Sequence, residues 1–86
     1  MPQLEEIATK IEAEVRRRAN IGADDKEFNR AINMFEYGYL DSFGAVELVE
    51  FVERNFRIRV SDEALATQPL NSVNEIAAFV LRNLTQ

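Results

Sequence analysis

The stretch GYLDSFGAVELVEFVERNF, from Gly38 to Phe56, decides the fold. A turn ends at Leu40, and from Ser42 onward apolar residues recur at the spacing of a helix with about 3.6 residues per turn. Five apolar side chains share one arc of that helix: Ala45, Leu48, Val49, Val52 and Phe56. The stretch therefore predicts a helix from Ser42 to Phe56 with this arc in the core.

Before this stretch, the sequence predicts one helix, from Leu4 to Arg18, and a long loop over residues 20–39. The arginines at 16–18 suit the negative end of the helix dipole, with a phosphate or acidic-partner contact as the alternative role. The loop has no sustained period and predicts one helical turn around Phe28 to Ile32. Its Asp24-Asp25 pair is expected to be solvated. The expected apolar anchors of the loop are Phe28, Ile32, Met34, Phe35 and Leu40.

After Phe56, residues 57–60 predict an extended link with Ile58 and Val60 turned inward. A short helix from Asp62 to about Thr67 should end before Pro69, with Leu65 as its core contact. Ser72 and Glu75 have the spacing of a capping box, which opens a last helix. Its apolar face is Val73, Ile76, Ala77, Val80 and Leu84. The prediction is one all-α domain over residues 1–86, a small four-helix bundle of three longer helices, a short third helix and a long first loop.

Composition excludes several classes of function. The chain has no cysteine and no histidine, which rules out a thiol nucleophile, a serine triad and the usual zinc sites. The net charge of −5 argues against a nucleic-acid partner and favours a basic protein surface. No signal peptide and no membrane span are recognisable in the sequence, so we expect a cytoplasmic protein.

The predicted second helix carries a second, unusual face. Phe43 and Val46 lie opposite the core arc, interleaved with Glu47, Glu50, Glu53 and Arg54. An exposed apolar patch with an acidic rim is typical of a docking surface for a basic partner. The alternative is structural: Phe43 lies under the long loop, and the glutamates form ordinary pairs one turn apart, Glu50 with Arg54 and Glu53 with Arg57.

Asp41 and Ser42 have the residue types of helix caps. Since no histidine or other base lies near Ser42, it cannot be a self-activated nucleophile, but another enzyme could modify it. A phosphodiester on Ser42 would meet the unpaired N–H groups at the positive end of the helix.

Gly38-Tyr39-Leu40-Asp41-Ser42-Phe43, followed by Val46-Glu47-Leu48-Val49, resembles the phosphopantetheine attachment segment of acyl and peptidyl carrier proteins. The order of the predicted helices is similar to that fold over nearly the whole chain. The resemblance implies that a phosphopantetheinyl transferase attaches phosphopantetheine from coenzyme A covalently to Ser42, beside the acidic Asp41. Acyl or aminoacyl groups are then carried on the arm as thioesters. It also implies partner docking through Phe43, Val46 and Glu47, to which the acidic face adds Glu50 and Glu53.

Within that family the segment looks more like the free-standing D-alanyl and aminoacyl carriers, which have a glycine where Gly44 stands. Fatty-acid carriers have leucine where Phe43 stands, and Phe51 is bulky for a helix that must open around a lipid chain. The hypothesis is a monomeric small-acyl or aminoacyl carrier, not itself an enzyme, served by a loading ligase and by downstream transferases or synthases. The alternative is a cofactor-free helical adaptor that binds a basic partner through the acidic second helix. The adaptor gives no reason for serine at position 42.

Overall fold

The structure, a computed structural model, describes residues 3–84. Over this range it has four helices and no strand: α1 (Leu4–Ala19), α2 (Ser42–Phe56), α3 (Asp62–Thr67) and α4 (Val73–Leu84). Helix α1 packs mainly against α4, and α2 contacts both. The predicted all-α bundle with a short third helix and a long first loop is therefore confirmed.

The core lies between the apolar faces of α1, α2 and α4. Its largest fully buried side chains are Ile7, Ile11, Val15, Met34, Val73 and Val80. Full burial of such a side chain is worth about 1.5–3 kcal/mol, so these contacts hold the helices in place. In α2 the buried positions are Leu48, Val52 and Phe56, all within the predicted arc.

The start of α4 is the predicted capping box. The Glu75 N–H donates to Ser72 Oγ at 3.1 Å, and the Ser72 N–H donates to Glu75 Oε1 at 3.2 Å. The same carboxylate also accepts the Asn71 N–H at 2.8 Å. N–H groups that the helix cannot pair internally are thus bonded by side chains.

The long loop differs from the prediction in one respect. Residues 28–32 form a tight turn on the Asn29 side chain, whose Oδ1 accepts the N–H groups of Ala31 (2.8 Å) and Ile32 (3.1 Å). The predicted helical turn there is wrong because an asparagine side chain can bond the backbone locally in place of a helix. A bond of helical spacing occurs further on, from the Tyr37 N–H to the Asn33 carbonyl at 3.2 Å.

The loop is anchored through Phe28, Met34 and Leu40, as predicted, while Ile32 is half-buried. Phe35 is exposed, so its prediction as a core anchor is wrong. The Met34 N–H donates to the Asn71 carbonyl at 2.8 Å, and the Met34 carbonyl accepts the N–H groups of Tyr39 and Leu40. Backbone bonds therefore connect the loop to the start of α4 and to the approach to α2.

Asp25 is a structural residue, which corrects its interpretation as part of a solvated pair. Its carboxylate accepts the N–H groups of Glu27 and Phe28 and the hydroxyl of Tyr39, which lies at 2.9 Å. The Phe28 N–H, followed by the Tyr39 hydroxyl, lowers the pKa of Asp25. Desolvation and the neighbouring Asp25 raise the pKa of Tyr39 to about 12.

The segment after α2 is an extended link, and Ile58 and Val60 are turned inward and half-buried, as predicted. Helix α3 begins at the Ser61 cap, whose Oγ accepts the Ala64 N–H at 3.1 Å. No residue of α3 is buried, so the prediction of Leu65 as a core contact is wrong. A six-residue helix is too short to bury a whole face in the core. Leu65 lines a cavity instead.

Candidate functional site

Ser42 is the first residue of α2, and its side chain is exposed. The cap is supplied by the preceding residue: Asp41 Oδ1 accepts the Gly44 N–H at 2.8 Å. Neither the hydroxyl nor the N–H of Ser42 has a hydrogen-bond partner among residues 3–84. Because Asp41 does the capping, the Ser42 hydroxyl is left without a structural role.

The other two serines of the chain are both engaged. Ser61 Oγ accepts the N–H of Ala64, and Ser72 Oγ accepts the N–H of Glu75, each at 3.1 Å. Ser72 is in addition only 4% exposed. Of the three hydroxyls, that of Ser42 alone is both accessible and unbonded in the described part of the chain.

Gly44 allows Asp41 and Leu40 to lie close to the first turn of α2. A Cβ atom at this position would lie 3.1 Å from Leu40 Cδ2 and 3.4 Å from Asp41 Oδ1. Leu40 is buried, so it has little room to move away. Glycine here thus allows the buried Leu40 and the capping Asp41 to approach the first turn of α2.

The outer face of α2, comprising Phe43, Val46, Glu47, Glu50 and Glu53, contains two exposed apolar side chains. Phe43 is 70% exposed and Val46 57% exposed. The alternative that Phe43 lies under the long loop is therefore wrong. The alternative ion pairs Glu50–Arg54 and Glu53–Arg57 are likewise not formed within residues 3–84.

The three carboxylates of the outer face differ in their surroundings. Glu50 is exposed, and Glu53 accepts the N–H of Val60 at 2.9 Å, which fastens the link after α2. Glu47 Oε1 accepts a hydrogen bond from Nη1 of Arg18 at 2.7 Å. Glu50 is thus the carboxylate of this face that carries no structural contact in the described chain.

Arg18, at the end of α1, lies in the wall of a polar cavity and contacts α2, a contact that the sequence prediction missed. Its neighbours in the arginine run pair within α1, Arg16 with Glu12 and Arg17 with Glu14, whereas Arg18 contacts both Glu14 and Glu47 of α2. No spacing in the sequence signals a contact between residues on two different helices. Arg18 consequently links the end of α1 to the outer face of α2.

Two cavities flank α2. The apolar cavity, of about 220 Å³, lies between α2, α3 and α4, and Ala45, Val49, Leu65, Leu70 and Phe79 are among its lining residues. The polar cavity, of about 380 Å³, lies between the end of α1 and the start of α2. Arg18, Asp41, Phe43, Gly44 and Glu47 contribute to its wall. Ala45 and Val49, from the predicted core arc, therefore face the apolar cavity.

The described residues contain no cluster of three or more histidine, cysteine, aspartate or glutamate side chains placed to hold a metal ion. In the same part of the chain, no helix has the length and apolar character needed to cross a membrane.

A comparison of the chain with models of known protein families identifies the family to which it belongs. The model of the phosphopantetheine attachment site family matches residues 9–80, from within α1 to within α4. The chain belongs to this family. No curated protein and no solved structure matches the chain.

Members of the phosphopantetheine attachment site family carry phosphopantetheine covalently, which makes this chain a phosphopantetheine carrier. The bound group supplies a terminal thiol that holds its cargo as a thioester. A phosphodiester at Ser42 requires N–H donors and is stabilised by a cation.

The start of α2 meets this requirement. The N–H groups of Ser42 and Phe43 donate to no acceptor within residues 3–84, so both are available to an anion. Arg18 provides a guanidinium in the wall of the polar cavity, where its Nε contacts Glu14 and its Nη1 bonds Glu47. An exposed hydroxyl and two unpaired amides are compatible with a serine-linked phosphodiester.

Proposed function

We propose that this carrier holds its phosphopantetheine arm on Ser42, and that it carries acyl or aminoacyl intermediates on that arm and presents them to partner enzymes. The observation that carries the assignment is the free, exposed Ser42 hydroxyl, in contrast to the two engaged serines. The chain has no histidine, and no base contacts this hydroxyl in the described residues. A phosphopantetheinyl transferase must therefore supply the base that removes its proton.

The outer face of α2 supports docking of these enzymes beside the arm. Phe43 and Val46 offer an apolar centre next to Ser42, and the exposed Glu50 adds negative charge. The net charge of −5 also favours partners with basic surfaces, because opposite charges speed encounter and fix orientation. Glu47 and Glu53 belong to the same face, although each also has a contact within the chain.

A small cargo is supported by the size of the apolar cavity. Its volume of about 220 Å³ is below the range of about 300–1,000 Å³ that is usual for drug-sized ligands. Phe51, whose bulk suggested a small cargo, packs against the core and is not part of the cavity wall. The support for a small acyl or aminoacyl group thus comes from the cavity.

The attachment is tested by incubating the chain with coenzyme A and a broad-specificity transferase and measuring the intact mass. We expect the addition of one phosphopantetheine to the wild type and to Ser61→Ala, and none to Ser42→Ala. Ser61→Ala is the matched control because its hydroxyl is also near a helix start but is bonded. No addition to the wild type, or addition that survives Ser42→Ala, would contradict the proposal and favour the adaptor.

The cargo is tested by loading the arm with a short acyl, an aminoacyl and a long acyl group. The readout is the chemical shift of Val49 and Leu65 methyl groups, which line the apolar cavity. A carrier for small groups should leave the long chain in solvent, with methyl shifts close to those of the unloaded arm. Large shifts with the long chain alone would contradict a small cargo without affecting the assignment of Ser42.

A further inference from the structure

Three arginines near the end of α2 differ from those earlier in the chain. The arginines of α1 and of the first loop each have a glutamate oxygen within 3.0 Å: Arg16, Arg17, Arg18 and Arg30. Arg54, Arg57 and Arg59 are exposed, and within residues 3–84 none of their side chains forms an ion pair or a hydrogen bond. These three residues form the basic end of α2.

The basic end of α2 lies on the outside of the domain. Arg54 is on the outer face of α2, one turn beyond Glu50, because residues four apart share a helix face. Arg57 ends the helix in the left-handed conformation, at φ 55°. In the link beyond it, Arg59 is exposed between two inward-turned side chains. Three cations thus follow one another along the outside of a chain whose net charge is −5.

The helix dipole and internal pairing do not account for the basic end. A cation in the last turn is stabilised by the negative end of a helix, but this effect is confined to that turn, and Arg59 lies beyond it. Glu50 precedes Arg54 in the order that favours an ion pair, yet no such pair forms within residues 3–84. Glu53 instead accepts the N–H of Val60. The charge of the basic end is therefore available to a partner.

An enzyme that covers Ser42 also reaches the basic end. At about 1.5 Å per residue, Arg54 lies about 18 Å along α2 from Ser42 and about 12 Å from Val46. A standard protein interface buries about 800 Å² on each side, which corresponds to a patch about 16 Å in radius. An enzyme centred on Phe43 and Val46 therefore has Arg54 at the rim of its interface.

We propose that the basic end of α2 binds an acidic patch on the enzyme that docks at Phe43 and Val46. This inference rests on the proposed docking of partner enzymes on the outer face. From Ser42 onward that face is apolar, then acidic at Glu50, then basic at Arg54. The matching enzyme surface is apolar, then basic, then acidic. An enzyme turned end for end would place like charges opposite each other, which costs free energy, so the two signs fix the direction of docking along α2.

A second copy of the chain fits the outer face less well than an enzyme does. In an antiparallel pair of α2 helices, Glu50 of one copy would face Arg54 of the other. Phe43 and Val46 would then extend past the end of the other α2, which stops at Phe56, and would stay exposed. An enzyme surface can cover the apolar and the charged parts of the face together.

The test exchanges the two charges of the outer face. Glu50→Arg combined with Arg54→Glu keeps the net charge, and both residues are exposed, so the fold should be retained, which circular dichroism checks. The docking enzyme is a broad-specificity phosphopantetheinyl transferase acting with coenzyme A. Its kcat/KM should fall about tenfold at about 0.1 M salt and by less at about 1 M, because the Debye length shrinks from about 10 Å to about 3 Å. The loss should appear in KM rather than in kcat.

Single variants show whether the arginine itself contributes. Arg54→Gln should lower kcat/KM about threefold, and Arg54→Lys should recover most of that loss because it keeps the charge. Lys26→Gln is the matched control, since it removes the same charge from an exposed position in the first loop, and it should not reproduce the loss.

Wild-type kcat/KM in the exchanged variant, or equal rates for Arg54→Gln and Lys26→Gln, would overturn the inference, while the mass of one arm on Ser42 would leave the carrier function standing. Self-association of the wild type that Arg54→Gln abolishes in sedimentation would also overturn it, because a second copy would then be the occupant. A chain that accepts no arm contradicts the proposed function, and the inference falls with it.

Discussion

The starts of α2 and α4 are both capped by side chains, but the serine is bonded at α4 and free at α2. Each must bond N–H groups that have no helical partner, and each has a serine and an acidic residue nearby. At α4 the serine itself is the cap: Ser72 is 4% exposed and bonds Glu75 in both directions. At α2 the aspartate is the cap, and Ser42 stands one residue later with a free hydroxyl.

A serine at a helix start keeps its hydroxyl free when its neighbour does the capping. The two helix starts also differ in their accessibility. The start of α4 is covered by the long loop through the bonds Met34 N–H to Asn71 and Asn74 N–H to Arg30. The start of α2 lies beside Phe43 and the polar cavity, where an enzyme can reach it.

The largest loss of stability is expected from Met34→Ala, because Met34 is bonded to the segments that precede both helix starts. This residue is fully buried, and its backbone bonds reach Asn71 on one side and Leu40 on the other. Met34→Ala should lower the free energy of unfolding by about 2–5 kcal/mol, measured by urea denaturation. Met34→Leu, which conserves volume, should lose less than about 1.5 kcal/mol. A loss in Met34→Ala no greater than in Met34→Leu would show that the loop does not secure the two helix starts.

The second prediction compares the contributions of Ser42 and Ser72 to the free energy of unfolding. Ser72→Ala removes a buried cap and should cost about 1–2 kcal/mol, whereas Ser42→Ala should stay within about 0.5 kcal/mol of the wild type. Urea midpoints of the two variants provide the measurement. Equal losses would mean that Ser42 contributes to the fold and would remove the contrast on which its assignment depends.

The third prediction distinguishes the role of Asp41 as a helix cap from the role of its charge in presenting Ser42. Asp41→Asn keeps an oxygen that can accept the Gly44 N–H, so the stability should change by no more than about 0.5 kcal/mol. If the charge helps present Ser42, modification by the transferase should slow about tenfold, which corresponds to about 1.4 kcal/mol in the activation barrier. Asp41→Ala serves as the control in which both quantities fall. Modification of Asp41→Asn at the wild-type rate would reduce Asp41 to a cap.

The smallest expected effect is on the acid dependence of stability, through the segment that leads into α2. Hydrogen bonds from Phe28 and Tyr39 lower the pKa of Asp25, so its charged form favours the folded state. That contribution is present above the ordinary aspartate pKa of about 3.9 and is lost as the pH falls through the lower pKa of the folded chain. Tyr39→Phe should therefore weaken the acid dependence of the urea midpoint below about pH 4.

Asp24→Asn is the matched control for this acid dependence, since Asp24 is adjacent and exposed. It should keep the wild-type profile. An unchanged profile in Tyr39→Phe would show that the bond to Asp25 does not hold the segment before Leu40.

The helices were predictable because their signals are local. Apolar spacing and caps placed α2 and α3 at their observed bounds and α1 within one residue, and the box at Ser72 and Glu75 formed as its spacing indicates. The exposure of Phe43 and Val46 followed from the same periodicity, because a helix with one complete apolar arc turns the opposite side to solvent.

The contacts that sequence reasoning missed join distant residues through side chains. Arg18 reaches Glu47, Tyr39 reaches Asp25, and Arg30 binds Glu5 and Glu12 of α1. In each case the partner is selected by the packing of the helices and the loop, and periodicity carries no information about it. Family resemblance pointed to Ser42, but the polar cavity beside it required the fold.

The bond from Met34 to Asn71 also bears on the order in which the chain acquires its shape. Its donor lies in the first loop and its acceptor just before α4, so the loop cannot complete its bonds until residue 71 has been synthesised. Contacts between such distant positions form slowly because a large loop must close first. The contacts between α1 and α4 span a still longer stretch, so the helix pair and the loop both reach their final arrangement late. The approach to α2, and with it the surroundings of Ser42, is therefore complete only after residue 71 has been added.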